Sequence, residues 1–279
     1  MLSLANRICL TALILLVCGA LSAAQTASTL EARRKALSDL LAEQWEYRLR
    51  TSPLYASFLG DKRWNAELDD FSQAAIDKDL QEVQKFVARL EHIDTTGFPK
   101  QEALNKRLIV RDLKAQLEGA RFKPWEMPVD QQNGLQVFLP QLVLVLSFQD
   151  AKDYQDYISR LKQMPRLFDQ TVIQMKKGMA DKLMPPRFIL DKVAEQADGI
   201  ATKQPSDSPF AQPFKTFPKS IAEAEQTRLR EQGTAAIRMA SFPPTRVSRN
   251  LCAKNMPRKA APSRAYGRCR MATPTTRSS

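Results

Sequence analysis

Apolar side chains recur at three- and four-residue intervals along most of this chain, and that spacing confines it to helices. In "STLEARRKALSDLLAEQWEYRLRTSP", Leu37, Leu40, Leu41, Trp45 and Leu49 share one helical face. Ser28 with Glu31 three residues on forms a capping box, and Ser52-Pro53 ends the pattern. A second amphipathic stretch follows Ser72, with Ile76, Leu80, Val83, Val87 and Leu90 on one face. A third runs from about Gln101 to Leu117.

The run "NGLQVFLPQLVLVLSF" is too short to span a membrane and is interrupted by Pro140, so it reads as a buried extended segment or a core helix. Helical spacing returns at Tyr154, Tyr157, Ile158 and Leu161. It is expected to break at Pro165 and to resume through Val172, Met175 and Met179. Another helix is expected from Pro185-Pro186 to about Gln196, since proline is tolerated in a first turn. From Gln204, "QPSDSPFAQPFKTFPKS" reads as a proline-rich loop before a last helical stretch, Ile221 to Ile237. The fold class expected is mainly α, a multi-helix domain of amphipathic helices with a Pro-rich loop, followed by a disordered basic tail.

The two ends differ from this middle. At the start, Arg7 precedes an apolar run from Ile8 to Val17 and then small residues, the layout of a secretory signal cleaved after Ala24. Lipid attachment at Cys18 is disfavoured by Val17, and an uncleaved anchor by a run shorter than the roughly 20 residues that cross a bilayer. At the other end, residues 238–279 contain Arg238, Arg246, Arg249, Lys254, Arg258, Lys259, Arg264, Arg268, Arg270 and Arg277, and no acid. That segment supplies most of the formal net charge of +12. The domains expected are therefore a signal peptide at 1–24, a helical part at 25–237 and a basic tail at 238–279. Export to the periplasm or beyond follows from the first of these. Cys9 and Cys18 leave with the signal and Cys252 and Cys269 lie in the tail, so no disulfide framework is indicated.

The sequence offers little catalytic chemistry. His92 is the single histidine, and a helical zinc motif needs two imidazoles on one face, so a capping or surface role is expected for it. Asp69 and Asp70 are adjacent carboxylates, but sequence neighbours point apart and they read as turn and helix-start residues. Tyr154 and Tyr157 lie one turn apart beside Ile158 and Leu161, the spacing of core residues. No Gly-rich phosphate loop or nucleophile elbow occurs. The tail could neutralise phosphates, but it lacks regular aromatic interleaving and an exported chain leaves cytoplasmic nucleic acid behind.

Four blocks together resemble a bacterial family known as domain of unknown function 885: "SPLYASFLGDKRWNAELDDFS", "KDYQDYISRLKQMPRLFDQTVIQMKKGM", "MPPRFILDKVAEQ" and "SPFAQPF". In the first block the family's pattern falls on Pro53, Gly60, Asp61, Trp64 and Asp70. The resemblance, from about Leu30 to Ile237, implies an exported, mostly helical, zinc-peptidase-like protein. The zinc site it implies lies on a later helix carrying His and Glu and on a following Pro-Gly-His, and no position here matches it. No catalytic, cofactor-binding or metal residue is therefore assigned in this chain. Zinc and a peptide-like substrate are expected only of an intact relative, and no partner, nucleic acid or membrane span is expected here.

The resemblance also implies what should follow Ile237, and the neighbouring reading frame permits it. If each codon begins one base earlier, Arg238 to Thr245 permits "NGVIPAY", with the Gly forced by Met239-Ala240. Leu251 to Thr276 permits "VRKEYAPKGRTEPGIWALPDGDAYY", with an Ala forced by Met256-Pro257 and a Gly by Met271-Ala272. The basic tail then reads as an out-of-frame translation and the chain as a truncated, inactive helical portion. The alternative reading is an extracytoplasmic helical binding module whose basic tail holds anionic surfaces.

Overall fold

A computed structural model describes residues 29–201 and 204–241. The expected signal peptide, the Ser28 cap, all four cysteines and the tail beyond Ser241 lie outside these residues. The regular secondary structure of the described residues is helical, with no strand among them. Helix α1 covers 29–51, followed by α2 Pro53–Phe58, α3 Gln73–His92, α4 Lys100–Ala120 and α5 Leu135–Val145. The chain continues with α6 Ala151–Ala180, α7 Arg187–Ala201 and α8 Glu223–Ser241.

Local chemistry sets several of these boundaries. The Ser72 hydroxyl accepts from the Ala75 amide at 3.2 Å and starts α3. Asp150 caps α6 in the same way, accepting from the Asp153 amide at 3.0 Å. Gly60 follows α2 with φ 82°, a left-handed turn that a side chain would strain.

Three apolar clusters hold the helices together. α1, α3 and α4 share Leu37, Leu40, Val83, Phe86, Leu90 and Leu113. The larger core joins α5, α6, α8 and the 3-10 helix Pro209–Phe214 around Leu139, Leu161, Leu167, Phe214, Leu229 and Ile237. Val129, Val172, Met175, Leu190 and Val193 seat α7 on the second half of α6. Each fully buried Leu contributes about 1.5–3 kcal/mol.

The expected break at Pro165 does not occur: α6 runs without interruption from Ala151 to Ala180. Met164, Leu167 and Phe168 are buried on either side of the proline, and that packing outweighs the one backbone hydrogen bond it removes. The stretch from Gln204 is not an open loop. It forms 3-10 turns at Pro205–Asp207 and Pro209–Phe214, and it buries Phe210 and Phe214 in the core. The helix expected from Pro185 starts instead at Arg187. α8 runs past Ile237 to Ser241, with Ala240 buried.

The apolar run around Pro140 forms a helix rather than an extended segment. Leu139 and Leu142 are buried, but Leu144 is 79% exposed on the opposite side. Trp45, placed on the core face by its spacing, is exposed and meets the Tyr55 ring edge-on at 6.3 Å. Ile76 and Leu80 are only half-buried, because their end of α3 borders an open groove.

Candidate functional site

The stretch from Ser52 to Gln73 is laid along α6 by side chains rather than by a sheet or helix partner. Arg160 is fully buried, and its guanidinium donates to the carbonyls of Glu67 at 2.8 Å, Trp64 at 3.0 Å and Pro53 at 3.1 Å. It also donates to the Ser57 hydroxyl at 2.7 Å. Gln163 donates to the Ala66 carbonyl at 2.8 Å and accepts from the Leu68 amide at 3.3 Å. Gln170 accepts from the Phe71 amide at 2.9 Å, and Gln174 donates to the Phe71 carbonyl at 3.1 Å. Lys177 then reaches the Gln73 side chain at 2.8 Å. Steps of three, four and seven residues put these groups on one stripe of the helix. They add partners to a stretch of backbone whose own turn hydrogen bonds leave part of it unsatisfied. Burial lowers the Arg160 pKa to about 10, with the charge of Asp69 opposing the shift.

A second close approach builds the opposite wall. Gly178 allows the turn Pro124–Glu126 to press its backbone onto α6: a Cβ there would lie 2.2 Å from the Glu126 carbonyl oxygen. Trp125 is thereby fixed across from the 67–72 segment, with its indole N–H buried and without a hydrogen-bond partner in the protein. Behind these walls Gln174 Oε1 and Arg160 Nη1 are also buried without partners.

Between the walls lies a groove of about 980 Å³. Its sides are the end of α1, the segment 67–72, the first turns of α3, the end of α4 and Pro124-Trp125. Leu68, Phe71, Ile76 and Leu80 give it an apolar lining, and Tyr47 donates to Asp79 at 3.0 Å within it. Gln116 donates to the other Asp79 oxygen at 2.9 Å.

Asp69 is the distinctive group of the groove. One carboxylate oxygen accepts from the Leu54 amide at 3.0 Å, and the residue's own backbone amide also favours the charged form. Burial raises its pKa to about 6, against the Leu54 hydrogen bond and the charge of Arg160. Its neighbour Asp70 turns away and accepts from the Ser72 amide at 2.9 Å and from Gln170 at 2.7 Å. Those bonds and Arg166 hold Asp70 below the usual carboxylate range, although burial opposes them. Asp70 is thus the helix-start residue that the sequence suggests, whereas Asp69 is more than a turn residue. Arg50 and Lys78 also line the groove, and neither has an ion-pair partner among the described residues.

The remaining residues singled out by sequence fall into structural roles. Pro53 opens α2 and Asp61 caps the turn Lys62–Trp64 by accepting from the Arg63 amide at 3.0 Å. Trp64 lends its carbonyl to Arg160, while its indole N–H is buried and unpartnered. Tyr154 and Tyr157 are core residues within a cluster that includes Phe148, Phe214 and Phe217. The Tyr157 hydroxyl donates to the Phe210 carbonyl at 3.1 Å. His92 is exposed at the last residue of α3, beside a shallow hollow that Asp39 and Glu43 also border. Among the described residues no three His, Cys, Asp or Glu side chains are grouped to hold a metal. The described residues therefore offer zinc no set of donors.

The geometry defines an all-helical protein with a polar, partly apolar groove at its N-terminal half. The bacterial family of proteins of unknown function called domain of unknown function 885 matches residues 53–273, and the chain belongs to that family. The matched range starts at the proline that opens α2 and extends well past Ile237. A candidate lipoprotein from Colwellia psychrerythraea has a similar fold, with a TM-score of 0.71 at 16% identity over 79% of this chain. This chain spans only 41% of that protein's length. No curated protein matches it. Among the described residues no helix is long and apolar enough to cross a membrane.

Proposed function

We propose that this chain is the N-terminal helical portion of an exported, zinc-peptidase-like protein, that it lacks the metal site and that it has no hydrolytic activity of its own. In the intact protein its groove would form part of the substrate cleft. One observation carries the reading: the fold accounts for two fifths of a larger relative's length and contributes a groove but, among the described residues, no set of metal donors. Export is supported by the layout of residues 1–24 and by the relative's description as a candidate lipoprotein. N-terminal sequencing of the exported product is expected to begin at Gln25.

The test is an incubation of the purified chain with a mixture of unblocked peptides, with zinc and with a chelator, followed by mass spectrometry. The peptides should be recovered intact under both conditions. Zinc-dependent cleavage would overturn the reading.

A second reading, a helical binding module for anionic surfaces, is favoured by the ten basic residues and absence of acids in 238–279. It requires vesicle or polyanion binding that falls steeply with salt and disappears when residues 242–279 are removed.

A further inference from the structure

Several exposed charges among the described residues are neutralised by a neighbour: Lys35 pairs with Asp39, Arg89 with Glu43, Arg63 with Glu46 and Asp61, and Arg228 with Glu225. The groove gathers a half-buried carboxylate, Asp69, and two exposed cations, Arg50 and Lys78, that no carboxylate pairs among the described residues. The acids that could have met Arg50 and Lys78 are engaged elsewhere. Asp79 is taken up by Tyr47 and Gln116, and Asp70 by Ser72, Gln170 and Arg166.

The separation of the two charges has a useful scale. Asp69 lies just before the Ser72 cap, and α3 rises about 9 Å from Ser72 to Lys78. An extended tripeptide spans about 10 Å. Between its ends the groove offers the apolar flanks of Ile76, Leu80 and Phe71, which are only partly buried. The Trp125 ring also lines the groove, with its indole N–H buried.

We propose that the groove binds a short, unblocked peptide, with its amino terminus on the Asp69 carboxylate and its carboxylate toward Lys78 and Arg50. The inference rests on the reading of this chain as a wall of a peptide cleft and gives that wall a polarity. Charge at both ends of a ligand favours hydrogen-bonded ion pairs in a partly desolvated site, which are stronger than the same pairs on an open surface. Recognition of the two termini makes the groove selective for length and indifferent to most side chains, except for one apolar residue in the middle.

The probe is the tripeptide Ala-Phe-Ala, with N-acetylated and C-amidated forms as controls, titrated calorimetrically into the full chain without its signal. The free tripeptide should bind, acetylation should weaken it at least about tenfold, and amidation should weaken it by a smaller factor. Asp69→Asn should reproduce the effect of acetylation, with its remaining oxygen still accepting from Leu54. Lys78→Gln, an exposed change that leaves the fold alone, should reproduce the effect of amidation. Equal binding of the free and acetylated peptides, or no detectable binding of the free one, overturns the proposal. Recovering the probe by mass spectrometry separates the two ideas. An intact but unbound peptide sinks the groove proposal alone, whereas a cleaved peptide sinks the reading of the chain as catalytically silent.

Discussion

At the scale of single residues, Arg160 and Asp69 carry opposite weights in stability. Arg160 holds three carbonyls and a hydroxyl in a buried layer, so Arg160→Leu removes a charged donor from each of them. We predict a loss of about 3–5 kcal/mol in urea denaturation, with the stretch 52–72 released from α6. Asp69 works the other way. Its folded pKa of about 6 is raised above the unfolded carboxyl value, so the folded state takes up the proton more readily. The stability it contributes is fully present below the unfolded pKa and is lost as pH rises through about 6. At pH 7 the carboxylate therefore opposes folding. Asp69→Asn is expected to raise stability there by about 1–2 kcal/mol and to flatten the stability profile between pH 4 and 6. A variant less stable than the parent at pH 7 would refute that assignment.

At the scale of elements, Gly178 and Pro165 show what α6 tolerates. Gly178→Ala drives a methyl group into the backbone of the Pro124–Glu126 turn and should cost more than about 2 kcal/mol while displacing Trp125, read as a shift in its fluorescence. Pro165→Ala restores a helical hydrogen bond in a helix that is already continuous, and thermal denaturation should show a gain of about 1–2 kcal/mol. The two cases also separate what the sequence reveals from what it hides. Helix starts such as Ser72, and the core positions Val83, Val87 and Leu90, are legible because caps and spacing act within a few residues. The persistence of α6 through Pro165 depends on burial by distant segments, which no local pattern carries. The same holds for the groove. Asp69 gains its character from Leu54 and Arg160, far from it in sequence, and the polar stripe Arg160, Gln163, Gln170, Gln174 reads in sequence as an ordinary solvated face. On α6 and α7, Tyr154, Leu161, Leu167 and Leu190 are buried, while Ile173 and Phe188 are exposed.

At the scale of the whole molecule, the chain belongs to a bacterial family of unknown function, and its described residues are mainly helical and form a groove with no metal-binding donor set among them. The letters permitted in the neighbouring frame call for a lost base near codon 238. Resequencing that region shows either an added base or none. The central claim, that this portion acts through its groove rather than through a metal centre, is tested most directly by a chemical-shift map of the nitrogen-labelled chain with Ala-Phe-Ala. The chain has three tryptophans, so the indole N–H signals of Trp45, Trp64 and Trp125 can be followed separately. The account predicts movement of the Trp125 indole and of the amides from 67 to 80, with Trp45 unchanged and zinc without effect. Shifts confined to α5 through α8, or shifts that appear only when zinc is added, would contradict it.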